Sequence, residues 1–476
     1  MFLPIFKRSI VRRLIAGLVI VSAIPAIANS ARRPNIILMM ADDLGWGDLQ
    51  SFRPESPIRT PNLDAMAANG LKFNRFYSAG SVCSPTRGSC LTGRHPSRYG
   101  ILTANSGHLR SNEICLAEIL RESGYATGHF GKWHLGTLSK TVKDSNRGGP
   151  RGAAHFSPPS ENGFATYFST EAKVPTYDPM LKPSRKPSSQ FWPFIADRSK
   201  AFQYGTRYWN TDGSIETENL VGDDSKVIMD RAVPFIERAV NEDAPFFAVI
   251  WFHSPHLPVV AGPKYWDMYR NYKPYEASYF GCVSAMDEQI GRLRKRLREL
   301  GVAADTMLWF CSDNGPEGSA GSAPGSAGPF RGRKRSLHEG GVRVCGLLEW
   351  PNKIETARST DFPAVTSDYL PTILDVLDQP LPSDRELDGA SLANIIDGND
   401  EPRQKPIFFH FKRQQAVSDN QFKLYSKDDG KSWQLYDLKN DPSESRDIAS
   451  THVEIVNNLK AKFVAWRTSC LTDAKK

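Results

Sequence analysis

Three runs of apolar residues stand out along the chain, Asn35 to Met40, Phe246 to Phe252 and Met307 to Cys311. Each is continuous rather than alternating, which predicts strands covered on both faces, as in a mainly parallel sheet. Each run leads into polar groups: Asp42-Asp43, His253 with His256, and Asp313-Asn314. Ligands of open α/β sheets sit outside the carboxyl ends of the strands, so groups far apart in sequence can converge there. Helix signals fall between the runs. Thr60-Pro61 supplies a cap and an N1 proline, and Gly70 a stop. Ser111 precedes a second helix that carries Ile114, Ile119 and Leu120 toward the core. From Asp287 to Leu300, Ile290, Leu293, Leu297 and Leu300 share one face while arginines and Lys295 hold the other, the pattern of a solvated amphipathic helix.

Elsewhere the pattern changes. From about Thr141 to Lys200 the chain is rich in Pro, Ser, Gly and Lys and reads as long surface loops around a site. Gly, Ser, Ala and Pro dominate from Gly315 to Gly328, predicting a mobile loop beside Asp313-Asn314. After about Glu401 short strands are predicted at Ile407 to Phe411, Gln421 to Tyr425 and Trp433 to Leu438, with Asp429-Gly430 as a hairpin signal. An amphipathic helix follows from about His452 to Trp466. The expected division is a leader over residues 1–28, a large α/β domain over 29–400 and a small antiparallel α+β subdomain over 401–476.

With 60 Lys+Arg against 52 Asp+Glu in 476 residues, the formal charge is +8. Four of those charges, Lys7, Arg8, Arg12 and Arg13, precede an apolar stretch from Leu14 to Ile24 and the small-x-small sequence Ala26-Ile27-Ala28. That is the layout of a secretory leader cut near Ala28, so the chain is read as exported, to a periplasm or the extracellular space. Without the leader about +4 remains, an ordinary surface, and no later run is long and apolar enough for stable membrane insertion. The seven cysteines are too sparse for a disulfide-stapled fold, and no CxxC pair suggests zinc. Cys311 and Cys345 lie within apolar runs and read as small core residues.

Cys83 does not. It opens Cys83-Ser84-Pro85-Thr86-Arg87-Gly88-Ser89-Cys90-Leu91-Thr92-Gly93-Arg94. Alone, this string also fits a structural thiol, bridged to Cys90, ahead of a proline-initiated helix. The whole string resembles the signature of the type I sulfatases, Cys-x-Pro-x-Arg followed by Leu-Thr-Gly. Further blocks extend the resemblance over roughly Pro34 to Ala449. They are Ala41 to Asp48, Gly131-Lys132-Trp133-His134-Leu135-Gly136, His253-Ser254-Pro255-His256, Ser312-Asp313-Asn314-Gly315, Arg331 to Gly341, and Leu435-Tyr436-Asp437-Leu438 with Asp441-Pro442.

The resemblance implies an alkaline-phosphatase-like α/β fold: a large mixed, mainly parallel sheet flanked by helices, with a small C-terminal antiparallel sheet and helix. It implies that a maturation enzyme oxidises Cys83 to formylglycine, whose hydrated aldehyde is the nucleophile. One hydroxyl attacks sulfur and expels the alcohol; the second then lets the sulfated intermediate collapse to aldehyde and release sulfate. Asp42, Asp43, Asp313 and Asn314, with the modified Cys83, would form the metal site. Their hard oxygens suit Ca²⁺, and Mg²⁺ less readily. Arg87, Lys132 and Lys334 would surround the sulfate, since an anionic ester needs cations both to bind and to stabilise developing charge. His134 and His256 become candidates for proton transfer. His253 is grouped with Lys132 and Lys334 on the substrate side as a residue that supports the site.

Some positions depart from the family pattern. Thr86 replaces the commoner serine, Arg333 and Arg335 flank Lys334 where glycine is frequent, and Cys345 stands where proline is usual. Arg331, Arg333, Lys334 and Arg335 together resemble a nucleic-acid patch. An exported chain makes a sulfated carbohydrate the expected partner and nucleic acid not; Arg333 and Arg335 are either solvated or paired with acidic neighbours, or at least one of them reaches an additional anionic group. The expected activity is sulfate ester hydrolysis on glycans, with Ser312 to Gly341 most like the N-acetylgalactosamine-6-sulfatases. Two rival readings are a phosphomonoester or phosphodiester hydrolase on the same fold and a non-catalytic sulfated-glycan-binding protein.

Overall fold

The computed structural model describes residues 33–185 and 188–473, together with Met1 and Phe2. The charged and apolar parts of the expected leader lie outside the described residues. From Arg33 onward the chain forms one compact unit.

Its centre is a ten-stranded sheet, counted among the described residues. The strands are β1 (Asn35–Ala41), β2 (Leu71–Tyr77), β3 (Ala126–Lys132), β4 (Thr166–Thr170), β5 (Tyr208–Asn210), β6 (Phe246–Trp251), β7 (Thr306–Ser312), β8 (Arg343–Glu349), β9 (Arg358–Thr360) and β10 (Ala364–Val365). They run in the order β9-β2-β8-β7-β1-β6-β3-β4-β5, with β10 beside β2. The inner strands β7, β1, β6, β3 and β4 are mutually parallel, and β8 and β5 run against their neighbours. The apolar runs are these central strands, buried because helices cover both faces. In β1, Ile37 and Met39 pack under α1 (Pro61–Ala68), α4 (Asp224–Asn241) and α5 (Pro274–Glu299). Ile36, Leu38 and Met40 alternate to the other face, under α2 (Cys83–Thr92) and α3 (Leu116–Glu122).

Three local expectations change. Helix α3 starts at Leu116 rather than after Ser111, because the Glu118 carboxylate accepts from the Cys115 backbone N–H at 2.7 Å and caps the helix there. Helix α5 begins thirteen residues before Asp287, at Pro274; its first half is buried nearly all round and lacks the polar stripe that marks the second. Strand β4 lies within the stretch read as loops, paired to β3 from Gly128 to Lys132.

A separate sheet of β11 (Ile407–Phe411), β12 (Gln414–Ser418), β13 (Phe422–Ser426) and β14 (Gln434–Asp437) is antiparallel throughout. The polar β12 was not foreseen. Helix α6 (Val453–Asp473) lays Leu459, Phe463, Trp466 and Cys470 on Val417, Leu424 and Leu435. Large mixed sheet, flanking helices and small antiparallel sheet with its helix are therefore as the sequence predicts. The glycine-rich loop is tied to the segment after β1 at Ser326, which donates its N–H to Asp48 and accepts from Gly47 N–H, both at 2.8 Å. A Cβ at Gly45 would meet the Ser326 carbonyl at 2.1 Å, so only glycine fits there.

Candidate active site

The carboxyl ends of four adjacent parallel strands deliver the polar groups to one place. Ala41 pairs with Ser312, so Asp42-Asp43 and Asp313-Asn314 leave the sheet side by side. Met40 pairs with Trp251, which brings up the His253 to His256 turn, and Lys132 ends β3 next to it. Helix α2 presents Cys83 in its first turn and Arg87 one turn later, fully buried. Asp43 (φ 68°) and His134 (φ 59°) occupy the left-handed region, a strain that packed surroundings must hold in place.

Three cations meet four carboxylates here. Arg87 Nη2 donates to Asp313 Oδ2 at 2.7 Å and stands 3.7 Å from Asp42, while Nη1 donates to the Lys132 carbonyl at 3.1 Å. Its guanidinium also lies over the Trp251 ring. Lys132 Nζ is 2.5 Å from Asp42, and Lys334 Nζ is 2.7 Å from the Asp43 carboxylate and 3.4 Å from Glu317. Burial works against the Asp42 carboxylate, but Lys132, His256, Arg87 and Lys334 hold its pKa well below the usual range. Burial and repulsion from Asp42 instead push Asp313 up to about 7, although Arg87 opposes them.

Donor atoms of Asp42, Asp43, Cys83 and His256 all lie within 4.8 Å of one another. His256 was not among the expected metal residues. Asp313 stands outside that cluster, its oxygens engaged by Arg87 and by the Asp43 N–H at 3.1 Å. Asn314 donates to Asp43 Oδ1 at 2.7 Å, which leaves its own Oδ1 buried without a partner; Asp42 Oδ1 is likewise unpartnered. Unsatisfied buried oxygens beside carboxylates are a donor set that fits a hard divalent cation.

His134 donates from Nε2 to Asn105 Oδ1 at 2.7 Å, and its Nδ1 is buried and unpartnered. Burial, then Lys132 and Arg87, keeps that ring neutral. His256 donates from Nδ1 to the Leu257 carbonyl at 2.8 Å and turns Nε2 to within 3.6 Å of Asp43; burial brings its pKa down to about 4. Cys83, Lys132, His134, His256 and Lys334 all line one cavity of about 550 Å³. His253 does not. It is fully buried, and its two ring nitrogens are engaged by Asp224 and Thr170 at 2.7 Å each, so it cannot reach substrate and instead braces the turn that carries His256.

Cys83 and Cys90 are both free and buried, so no disulfide joins them. The basic cluster is consumed internally. Arg331 donates to Tyr436 Oη and the Glu444 carbonyl, Arg333 to the carbonyls of Glu317 and Gly318, and Arg335 bidentately to the Glu317 carboxylate at 2.6 and 2.8 Å. Of the two readings of Arg333 and Arg335, pairing within the protein is the one these contacts favour: both hold the chain segment after Asn314, and Arg335 also lines the active-site cavity. Asn105 and Lys173 line the same cavity from loops that carry no motif, and Glu317 lines it from the stretch between Ser312 and Gly341 without having been named as a site residue.

Residues 34–379 match the sulfatase family model, and residues 328–469 match the model described as N-sulphoglucosamine sulphohydrolase, C-terminal. The chain therefore belongs to the sulfatase family, and its reaction class is the hydrolysis of sulfate esters. It is 30% identical to N-acetylgalactosamine-6-sulfatase of Mus musculus over 456 residues, covering 92% of this chain and 81% of that one. It is also 30% identical to arylsulfatase G of Rattus norvegicus, covering 79% of this chain and 71% of that one. Among solved structures, Ps i-CgsB in complex with k-i-k-neocarrahexaose superposes with a TM-score of 0.76 at 27% identity, covering 91% of this chain and 93% of that one. The architecture is alkaline-phosphatase-like.

Proposed function

We propose that this sulfatase acts on sulfated glycans, with Cys83 converted to formylglycine by a maturation enzyme and a Ca²⁺ ion held by Asp42, Asp43, Asn314 and Asp313. The observation that carries the reading is the convergence of Cys83, Lys132, His134, His256 and Lys334 on one cavity, above buried oxygens that lack partners. Similarity to Ps i-CgsB in complex with k-i-k-neocarrahexaose and to N-acetylgalactosamine-6-sulfatases supports a sugar substrate. The converted residue would supply an aldehyde hydrate as nucleophile, and the cation would add positive charge beside it.

The chain's own residues supply the rest. Lys132 and Lys334 border the cavity and bind the anionic sulfate, and Arg87, fixed behind them by Asp313, keeps the positive potential preorganised. His134, neutral and with Nδ1 free, is the base able to take a proton from the nucleophile. His256 is neutral when the cavity is empty. A bound sulfate favours its protonated form, so His256 can return a proton to the departing alcohol oxygen. His253 acts only by positioning, through Asp224 and Thr170.

No helix among the described residues is long and apolar enough to cross a membrane. What supports an exported enzyme is the basic start followed by the apolar run to Ala28. The test is to express the chain with a formylglycine-generating enzyme, identify the aldehyde in the Cys83 peptide by mass spectrometry, and measure aryl sulfate turnover. Aryl phosphate should be a far poorer substrate, and Cys83→Ala should remain folded and lose turnover. A Cys83 thiol in fully active protein, or equal activity in Cys83→Ala, overturns the reading.

A further inference from the structure

A second cavity opens beside the first. Its volume is about 580 Å³, and it shares Asn146, Lys173 and Ser189 with the active-site cavity, so the two are contiguous. Lys143, Lys173 and Arg207 line it, and no carboxylate does. Lys143 and Arg207 are exposed and Lys173 is half-buried; none of the three forms an ion pair among the described residues. This sets them apart from the cations of the reaction centre, which are all matched to carboxylates, and from Arg335, which is matched to Glu317. Arg207 feels the Asp144 carboxylate behind the wall, but no carboxylate faces the concavity itself, and each of the three cations can donate charge-assisted hydrogen bonds to an anion that enters it. Half-buried Tyr204 adds apolar wall, a surface against which a sugar ring can pack.

We propose that this cavity is a second subsite, taking an anionic substituent, sulfate or carboxylate, on the sugar next to the one that bears the scissile sulfate. The proposal rests on the glycan reading above and narrows it to chains with at least two anionic groups. Lys173, shared by both cavities, would stand between the two sugars, with Lys143 and Arg207 on the far group. These residues come from segments around β4 and β5, outside the blocks that carry the reaction, which is where substrate selection can vary while the chemistry stays fixed.

The experiment compares the wild-type converted enzyme with a Lys143→Ala, Arg207→Ala double variant; both side chains are exposed and outside the catalytic machinery. The readouts are kcat/KM for 4-methylumbelliferyl sulfate and inhibition constants for three competitors: a monosulfated galactan disaccharide, its disulfated counterpart, and a uronate-containing galactosamine 6-sulfate disaccharide. In the wild type a doubly charged ligand should compete better than the monosulfated one. In the double variant its inhibition constant should rise roughly tenfold, with the aryl ester and monosulfated ligand changed by less than about twofold. A rise confined to the disulfated ligand assigns the site to sulfate, one confined to the uronate ligand assigns it to carboxylate, and a rise in both assigns it to either anion. If the monosulfated disaccharide competes but a second charge adds nothing, or the variant shifts every ligand equally, the subsite is overturned and the glycan reading stands. If no oligosaccharide competes while the aryl ester is hydrolysed, the glycan reading falls and the subsite with it.

Discussion

Arg87 reaches Asp313 at 2.7 Å with both side chains fully buried, and the same guanidinium holds the Lys132 carbonyl. One residue of α2 thus ties the ends of β7 and β3 together behind the cavity. A buried pair of this kind contributes little net stability against an apolar substitute, but losing one partner strands the other charge.

Arg87→Ala should therefore lower stability by about 3–5 kcal/mol, because Asp313 would be left buried among Asp42 and Asp43. Combining Arg87→Ala with Asp313→Asn removes the stranded charge and should restore much of that loss, while aryl sulfate turnover stays absent in both. Thermal unfolding and turnover measured on the same preparations check this; a double variant no more stable than the single would contradict the coupling.

If a divalent cation binds the unpartnered oxygens, it stabilises the folded chain by mass action, about 2.7 kcal/mol at a hundredfold excess over Kd. Millimolar Ca²⁺ should raise the melting temperature of the wild type, and EDTA should reverse the rise. Asp42→Asn keeps the shape but removes charge from the cluster, so the response to Ca²⁺ should shrink or vanish. An unchanged calcium-dependent shift in Asp42→Asn would exclude Asp42 as a ligand.

The core of this arrangement was legible in the sequence because continuous apolar strands end in polar residues. Asp42, Asp43, Asp313, Asn314 and His256 meet simply because β6, β1 and β7 are parallel neighbours. Strand β4 escaped notice because it lies in a Pro- and Ser-rich stretch and is recognisable only through its pairing with β3. Asn105 and Lys173 carry no local signal either, since loop folding alone brings them to His134 and to the cavity. His253, grouped on the substrate side as a residue that supports the site, does only the supporting. Three residues along a turn were enough to point it at Asp224 instead.

Lys423, on β13 of the small sheet, inserts its ammonium between Glu339, 2.9 Å away, and Glu444, 3.1 Å away, with all three side chains fully buried. Glu339 follows closely on Lys334, so this cluster anchors the segment that carries the sulfate-binding lysine. Lys423→Met should cost about 3–5 kcal/mol by leaving two carboxylates without their shared cation. Adding Glu339→Gln should return part of it. Chemical denaturation of the single and double variants decides the matter, and additive losses would mean the two residues are not coupled.

His95 caps the short helix Pro96–Tyr99: its Nδ1 accepts from the Ser97 N–H at 3.1 Å, and its ring meets the edge of Trp466. Burial brings its pKa down to about 3, against the opposing pull of Asp388 and with His410, Arg98 and Arg467 acting in the same direction as burial. Between about pH 6.5 and pH 3 the unfolded chain therefore binds a proton that the folded chain refuses, so this residue makes stability fall as the solution is acidified. Asparagine can accept the same N–H but does not titrate. Comparing wild type with His95→Asn removes the contribution of every other titrating group shared by the two. The stability advantage of the wild type at pH 7 should shrink by roughly 1–2 kcal/mol by pH 5, with most of the change below pH 6.5. Stability curves that stay parallel across that range would show that the imidazole takes up its proton without unfolding.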